Sequence, residues 1–207
     1  MCLTKRLGAA LYDFVMRKPE QAGLQTWRRE LLEQAGSVVL EIGAGTGANL
    51  ANYPEQVERL IALEPNPAMA ERMDLEQFSG RGEVEVLQGF VGDIPLEDNS
   101  VDTVVTTLVL CSVPDVAAGL AELRRVLRPG GELLFLEHVA SPDENLRKWQ
   151  DRVDPLWYGL NGDCHLNRRT AEDIEAAGFE IVKCSRSRMP KAPALLAPTI
   201  CGVAVPK

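Results

Sequence analysis

The residues best placed to do chemistry gather around a short glycine-rich run. Val38-Val39-Leu40-Glu41-Ile42-Gly43-Ala44-Gly45-Thr46-Gly47 reads as an apolar strand entering a turn of small residues, with a helix expected after it. Glycines there let backbone N–H groups approach a ligand with no Cβ in the way, and a nucleotide-like ligand is the expected occupant. Gly43, Gly45 and Ala48 also satisfy the G-x-G-x-x-G/A spacing of dinucleotide-binding loops, so the glycines alone do not choose the ligand. Three acids do. Glu41, two residues before the first glycine, would repel a pyrophosphate and attract an ammonium group. Glu64, at the end of the next apolar run, is placed to accept both hydroxyls of an adenosine ribose. Asp93, in Gly92-Asp93-Ile94, could accept from an adenine amino group while the Ile94 N–H donates to the ring. The trio fits adenosine joined to an amino acid better than NAD.

Acid–base chemistry has two candidates, His138 and His165, the only histidines in the chain. A metal role for His165 would need two more ligands, and no spacing here supplies them. The five cysteines, Cys2, Cys111, Cys164, Cys184 and Cys201, form no CxxC pair. They read as reduced thiols, with neither a disulfide framework nor a zinc site. Cys111 reads as a small apolar wall residue rather than a nucleophile, and no sequence neighbour orients either histidine. Trp157 and Tyr158, with Trp149, Leu156 and Leu160, suggest an apolar roof that lines the substrate.

These residues need elements to hold them. Apolar runs at Ser37–Ile42, Arg59–Leu63, Glu83–Gln88, Val101–Leu108 and Glu132–His138 alternate with helical segments, which predicts parallel βαβ units. A helix is expected over Val116–Leu127, capped by Asp115 and stopped by Pro129-Gly130-Gly131. Another should span Thr170–Ala177, capped by Asn167 or Thr170. After it, FEIVKCSRS and TICGVAV are strands whose short connection requires antiparallel pairing. The expected fold is α/β, a doubly wound, mostly parallel sheet with a C-terminal antiparallel hairpin. Residues 1–36 would form a helical cover over the ligand edge, with Leu3, Leu7, Leu11, Phe14 and Val15 on one face. That basic amphipathic helix is also the segment that could touch a membrane surface. Residues 141–166 would be an insertion roofing the active site, the whole forming a single domain over 1–207.

With the motifs placed, a resemblance is plain. VLEIGAGTG, the acidic LEP after the second strand, GDIPL ahead of NSVDTVV, and LRRVLRPGGELLFLEH are similar to class I S-adenosylmethionine-dependent methyltransferases over about residues 36–140. The resemblance implies a seven-stranded Rossmann-like sheet and S-adenosylmethionine as cofactor. Carried over by position, Glu41, Gly43, Ala44, Gly45 and Gly47 would line the methionine part, Glu64 and Pro65 the ribose, and Asp93 and Ile94 the adenine. Thr107 and Leu108 would complete the cofactor site. LEIGAGTGANLANYP, TLVLCSVPD, LFLEHVASP, DPLW, the Cys-His-Leu-Asn-Arg stretch and ICGVAV resemble, more narrowly, the methyltransferase-like 7 group. Its animal members are membrane-anchored and methylate small alkyl thiols. This chain looks like the soluble microbial branch, so the expected acceptor is a small, largely apolar molecule, a thiol first. The alternatives are a lipid-linked acceptor, such as a quinone-type ring or phospholipid amine, a non-catalytic S-adenosylmethionine-binding module, and an NAD oxidoreductase.

Composition sets the outer bounds. The chain has 207 residues, 45% hydrophobic and 25% charged, which suits a packed core and excludes a disordered composition. The formal charge of −8 argues against a protein that neutralises nucleic-acid phosphates. No apolar stretch is long enough for a membrane span and no signal peptide is evident, so a cytoplasmic protein is expected.

Overall fold

A computed structural model of the chain describes residues 12–160 and 164–207. Strands β1 (Val38–Ile42), β2 (Arg59–Leu63), β3 (Glu83–Leu87), β4 (Val101–Thr107), β5 (Leu127–His138), β6 (Phe179–Arg188) and β7 (Pro198–Pro206) form one sheet in the order β3-β2-β1-β4-β5-β7-β6. The first five are parallel, and β7 inserts antiparallel between β5 and β6. The helices are α1 (residues 12–19), α2 (Gln25–Leu32), α3 (Pro67–Ala70), α4 (Val116–Val126), α5 (Glu144–Leu160) and α6 (Thr170–Ala176).

Strand periodicity explains why both faces are covered. Alternate residues of β1 and β2 enter different cores: Leu40, Ile42, Ile61 and Leu63 pack with Leu120, Leu123 and Val126 of α4, whereas Val39, Leu60 and Ala62 pack with Leu31 and Leu32 of α2. Central strands are therefore continuously apolar. The edges are not: β3 carries Glu83 and Glu85, with Glu85 bridged to Arg59 at 2.7 Å, and β6 exposes Lys183, Arg186 and Arg188.

Local signals behave as their chemistry requires, with three departures. The Asp115 side chain caps α4 by accepting from Ala118 N–H at 2.9 Å. The helix stops at Val126, and Pro129-Gly130-Gly131 lies inside the long β5, with Gly130 at φ +81 beside a register shift. Neither expected cap serves α6, because Arg169 holds the cap position without a side-chain bond and Asn167 donates to Asp151 at 2.8 Å. No α-helix follows the glycine loop. Three left-handed glycines lead instead to a single 3₁₀ turn, Leu50–Asn52, followed after Tyr53 by Pro54.

The 141–166 stretch is mostly helix α5, with Pro155 inside it. Trp149 and Leu156 are 57% and 68% exposed, so this pair belongs to the outer face rather than to a roof over the site. Of the amphipathic N-terminal face, Leu3, Leu7 and Leu11 lie outside the described residues, and Phe14 and Val15 are exposed. None of the described helices is long and apolar enough to cross a membrane.

Candidate active site

The chain reverses its winding direction at β1, which has β2 on one side and β4 on the other. In open α/β sheets the crevice at the carboxyl ends of such strands is where ligands bind. Gly43 and Ala44 N–H both reach the Leu63 carbonyl, at 2.8 and 3.3 Å, tying the glycine loop to the end of β2. Gly43, Gly45 and Gly47 have φ of +61, +60 and +88. Gly43 is needed twice over, since a Cβ there would also strike the Val109 side chain. Glu64 lies under the loop, its two carboxylate oxygens accepting from Gly45 N–H (2.9 Å) and Asn66 N–H (2.8 Å). Burial pushes its pKa up, opposed by those two backbone donors. From above, Asp13 of α1 accepts from Thr46 Oγ1 at 2.7 Å and from Arg72 at 2.8 Å, which latches the N-terminal helix onto the loop.

Glu41 shares a sheet face with Val39, so it points toward α2. There it is buried, with one oxygen accepting from Tyr53 OH (2.7 Å) and the other from Asn49 Nδ2 (2.8 Å). Burial raises its pKa, against those hydrogen bonds and the charge of Arg28. Arg28, only 2% exposed, donates to Asn49 Oδ1 (3.0 Å) and Thr107 Oγ1 (2.8 Å) and pairs with Glu20 at 3.0 Å. This guanidinium is absent from the motif-based site. Its sequence signal is positional: with Leu24, Leu31 and Leu32 it occupies the buried stripe of α2, where an arginine stays charged only if paired.

Asp93, expected to meet the adenine, is exposed. The Ile94 N–H corrects the sequence expectation: it donates to Glu122 Oε2 at 3.1 Å, and the Ile94 carbonyl accepts from Arg125 at 2.9 Å. The N–H proposed for the adenine ring therefore serves the α4 packing instead.

The end of β4 turns sharply. Leu108 sits at φ +59, rare for a branched residue, while its N–H donates to the Leu136 carbonyl at 2.7 Å. Glu137 Oε2 accepts from Val109 N–H at 3.0 Å; this fully buried carboxyl is raised by desolvation to about 7. The turn delivers Cys111, 1% exposed, to the end of β5. Its Sγ lies 3.7 Å from Cys164 Sγ, which lies 2.9 Å from His138 Nε2. Cys111, through its hydrogen bond, and His138 pull the Cys164 thiol well down, and the same Cys164 contact together with burial pushes Cys111 up. Two sulfurs and an imidazole are thus in mutual contact. The three side chains form a compact cluster of metal-ligating type, although the sequence predicts no metal site. Their sequence separations of 26 and 53 hide the grouping from any spacing rule.

His165 has an orienting partner that the sequence did not reveal. Its Nδ1 lies 2.9 Å from Asp154 Oδ2, its ring stacks on Tyr158 at 4.6 Å, and its backbone N–H donates to the Cys111 carbonyl at 2.9 Å. Trp157 Nε1 is buried beside the Cys164 thiol.

Residues 40–135 match a family model described as a methyltransferase domain. The chain is 38% identical to thiol S-methyltransferase TMT1B of Homo sapiens, over 88% of its own length and 79% of that protein's. The chain belongs to the S-adenosylmethionine-dependent methyltransferases. At lower identity, 30%, this methyltransferase is similar to the ubiquinone/menaquinone biosynthesis C-methyltransferase UbiE of Rubrivivax gelatinosus, over 84% of its own length and 77% of the relative's. Its fold matches a SAM-dependent methyltransferase of Thermotoga maritima with a TM-score of 0.65 at 20% identity, covering 96% of this chain and 94% of that one. The methyl donor is S-adenosylmethionine.

Proposed function

We propose that this methyltransferase transfers the methyl group to the sulfur of a small, largely apolar thiol. The observation that carries the reading is the 38% identity to a thiol S-methyltransferase over 88% of the chain, which reaches well beyond the 40–135 domain segment.

The residues present suit the donor. Gly43, Ala44, Gly45 and Gly47 bring bare backbone to the amino-acid end, in a cradle that a Cβ at Gly43 or Gly47 would disturb. Each Glu64 oxygen has one backbone donor and accepting capacity left, enough for two ribose hydroxyls, with Pro65 beside it. Asp93 is assigned to the adenine amino group and the buried Ile94 side chain to the apolar side of the ring. Thr107 and Leu108 are assigned to the methyl end of the site, and Glu41 acts from behind the loop by holding Asn49 and Tyr53.

The bound donor supplies an electrophilic methyl on a sulfonium. The protein must then position the acceptor, exclude water and remove at most one proton. A thiol of pKa about 8.5 is already a few per cent thiolate at neutral pH. Cys111, Trp157 and Tyr158 are assigned to the acceptor's side of the crevice. Asp154, 2.9 Å from His165 Nδ1, orients that ring for an acceptor of higher pKa, whereas a thiol, already partly ionised, needs no general base. A labelled-methyl screen across alkyl thiols, phenols, amines and demethylated quinones tests the reading. Turnover of alkyl thiols is expected; quinone or phenol methylation with every thiol silent would overturn the acceptor.

A further inference from the structure

Apart from the place of Cys111 beside the acceptor, the Cys111–His138–Cys164 cluster has no assigned use in an in-line methyl transfer. We propose that it is a zinc site with three protein ligands and an open fourth position that takes the sulfur of the thiol acceptor. The second half of this proposal rests on the thiol reading above; the first does not.

The geometry favours a metal. Zinc bound tetrahedrally at about 2.3 Å to sulfur and about 2.0–2.1 Å to nitrogen holds two sulfurs about 3.8 Å apart and a sulfur and nitrogen about 3.5 Å apart. The two Sγ atoms are 3.7 Å apart, already at the zinc spacing. His138 Nε2 is 2.9 Å from Cys164 Sγ, so the imidazole must withdraw by only about 0.6 Å, exchanging a hydrogen bond for a metal bond. All three ligand atoms lie within 4.8 Å of one another, and the cluster has no fourth protein ligand among the described residues. Structural zinc sites close with four protein ligands, whereas catalytic ones keep three and leave a position open. His138 Nδ1 has no partner among the described residues, so the sulfur contact is what holds the ring.

The position is right for the reaction. The ligands come from the turn after β4, the end of β5 and the segment after α5. Val109, two residues before Cys111, is the side chain against which Gly43 of the glycine loop is packed. A thiol entering the open position loses its proton to solvent as its sulfur binds zinc. That sulfur's lone pair then forms the new S–CH₃ bond while the methyl–sulfonium bond breaks. The bonding pair stays on the donor, leaving neutral S-adenosylhomocysteine, and the product thioether, a weaker ligand, departs. Zinc would make every bound acceptor a thiolate, where free thiols are mostly protonated at neutral pH.

The test uses the full chain, reduced and stripped with chelator. One equivalent of Zn²⁺ per chain is expected to bind, and Co²⁺ in its place should show tetrahedral visible bands and a near-ultraviolet thiolate charge-transfer band. Cys164→Ser and His138→Gln should weaken Zn²⁺ binding by more than the roughly 10–100-fold that loss of a supporting hydrogen bond brings to metal sites. Retained S-adenosylhomocysteine binding by calorimetry establishes that these variants are folded. Cys184→Ser, at an exposed thiol outside the cluster, should leave the affinity unchanged. Adding butanethiol should enlarge the charge-transfer band as a third sulfur joins two. Failure of the reduced protein to bind either metal, or affinity that is indifferent to Cys164 and His138, would overturn the site. A cobalt spectrum that butanethiol does not change would overturn the open position. Metal and butanethiol both bound, with no thiol ever methylated, would support the site and overturn the acceptor reading instead.

Discussion

Replacing Gly43 with alanine separates two roles that glycines play in the loop. The new residue must hold φ +61, which costs a non-glycine residue about 1–2 kcal/mol. Its Cβ also meets the Val109 side chain, and forcing such an overlap costs about 1–3 kcal/mol. The total is about 2–5 kcal/mol, and for a chain of this length each kcal/mol lowers Tm by about 2–4 °C. Gly45→Ala is the internal comparison. Its φ is +60, but its Cβ would have no neighbour nearer than Met69 Sδ at 3.7 Å, so only the backbone term of about 1–2 kcal/mol applies. Val109→Ala should rescue Gly43→Ala selectively, giving a favourable coupling of about 1–3 kcal/mol in a double-mutant cycle. Denaturant and thermal melts of the wild type and the four variants measure all of this. Equal damage from Gly43→Ala and Gly45→Ala, or additivity of the Gly43 and Val109 changes, would refute the packing argument.

Glu64→Gln removes a charged acceptor from the proposed ribose position and should weaken S-adenosylhomocysteine binding by roughly 10–100-fold, the equivalent of a charge-assisted hydrogen bond, as read by calorimetry. Glu137 has a folded pKa of about 7, raised by burial above an unfolded value near 4.5, so the folded state holds the extra proton between those values. Stability should therefore fall as pH rises from about 4.5 to 7, by about 3 kcal/mol from this group, and Glu137→Gln should flatten that part of the curve. His165→Gln should lower kcat/KM for an alkyl thiol far less than the 10²–10⁴-fold typical of an essential general base, whereas a phenol acceptor would lose about that factor.

What the sequence determined by itself is whatever short-range physics enforces. Apolar runs of strand length, the left-handed glycines and the Asp115 cap act over a few residues, so β1 to β5, the glycine loop and the start of α4 are legible in the chain. Their alternation also dictates a parallel, doubly wound sheet, because a crossover helix leaves few other ways to bury both strand faces. Tertiary structure decided the pairings across long separations. Arg28 finds Asn49 and Thr107, Asp154 finds His165, and Cys111, His138 and Cys164 meet from three different elements. Nothing local selects these partners. They are chosen by which strand ends lie side by side and by the high cost of leaving a buried polar group unpaired, which is also why the Ile94 N–H goes to Glu122 rather than to the crevice.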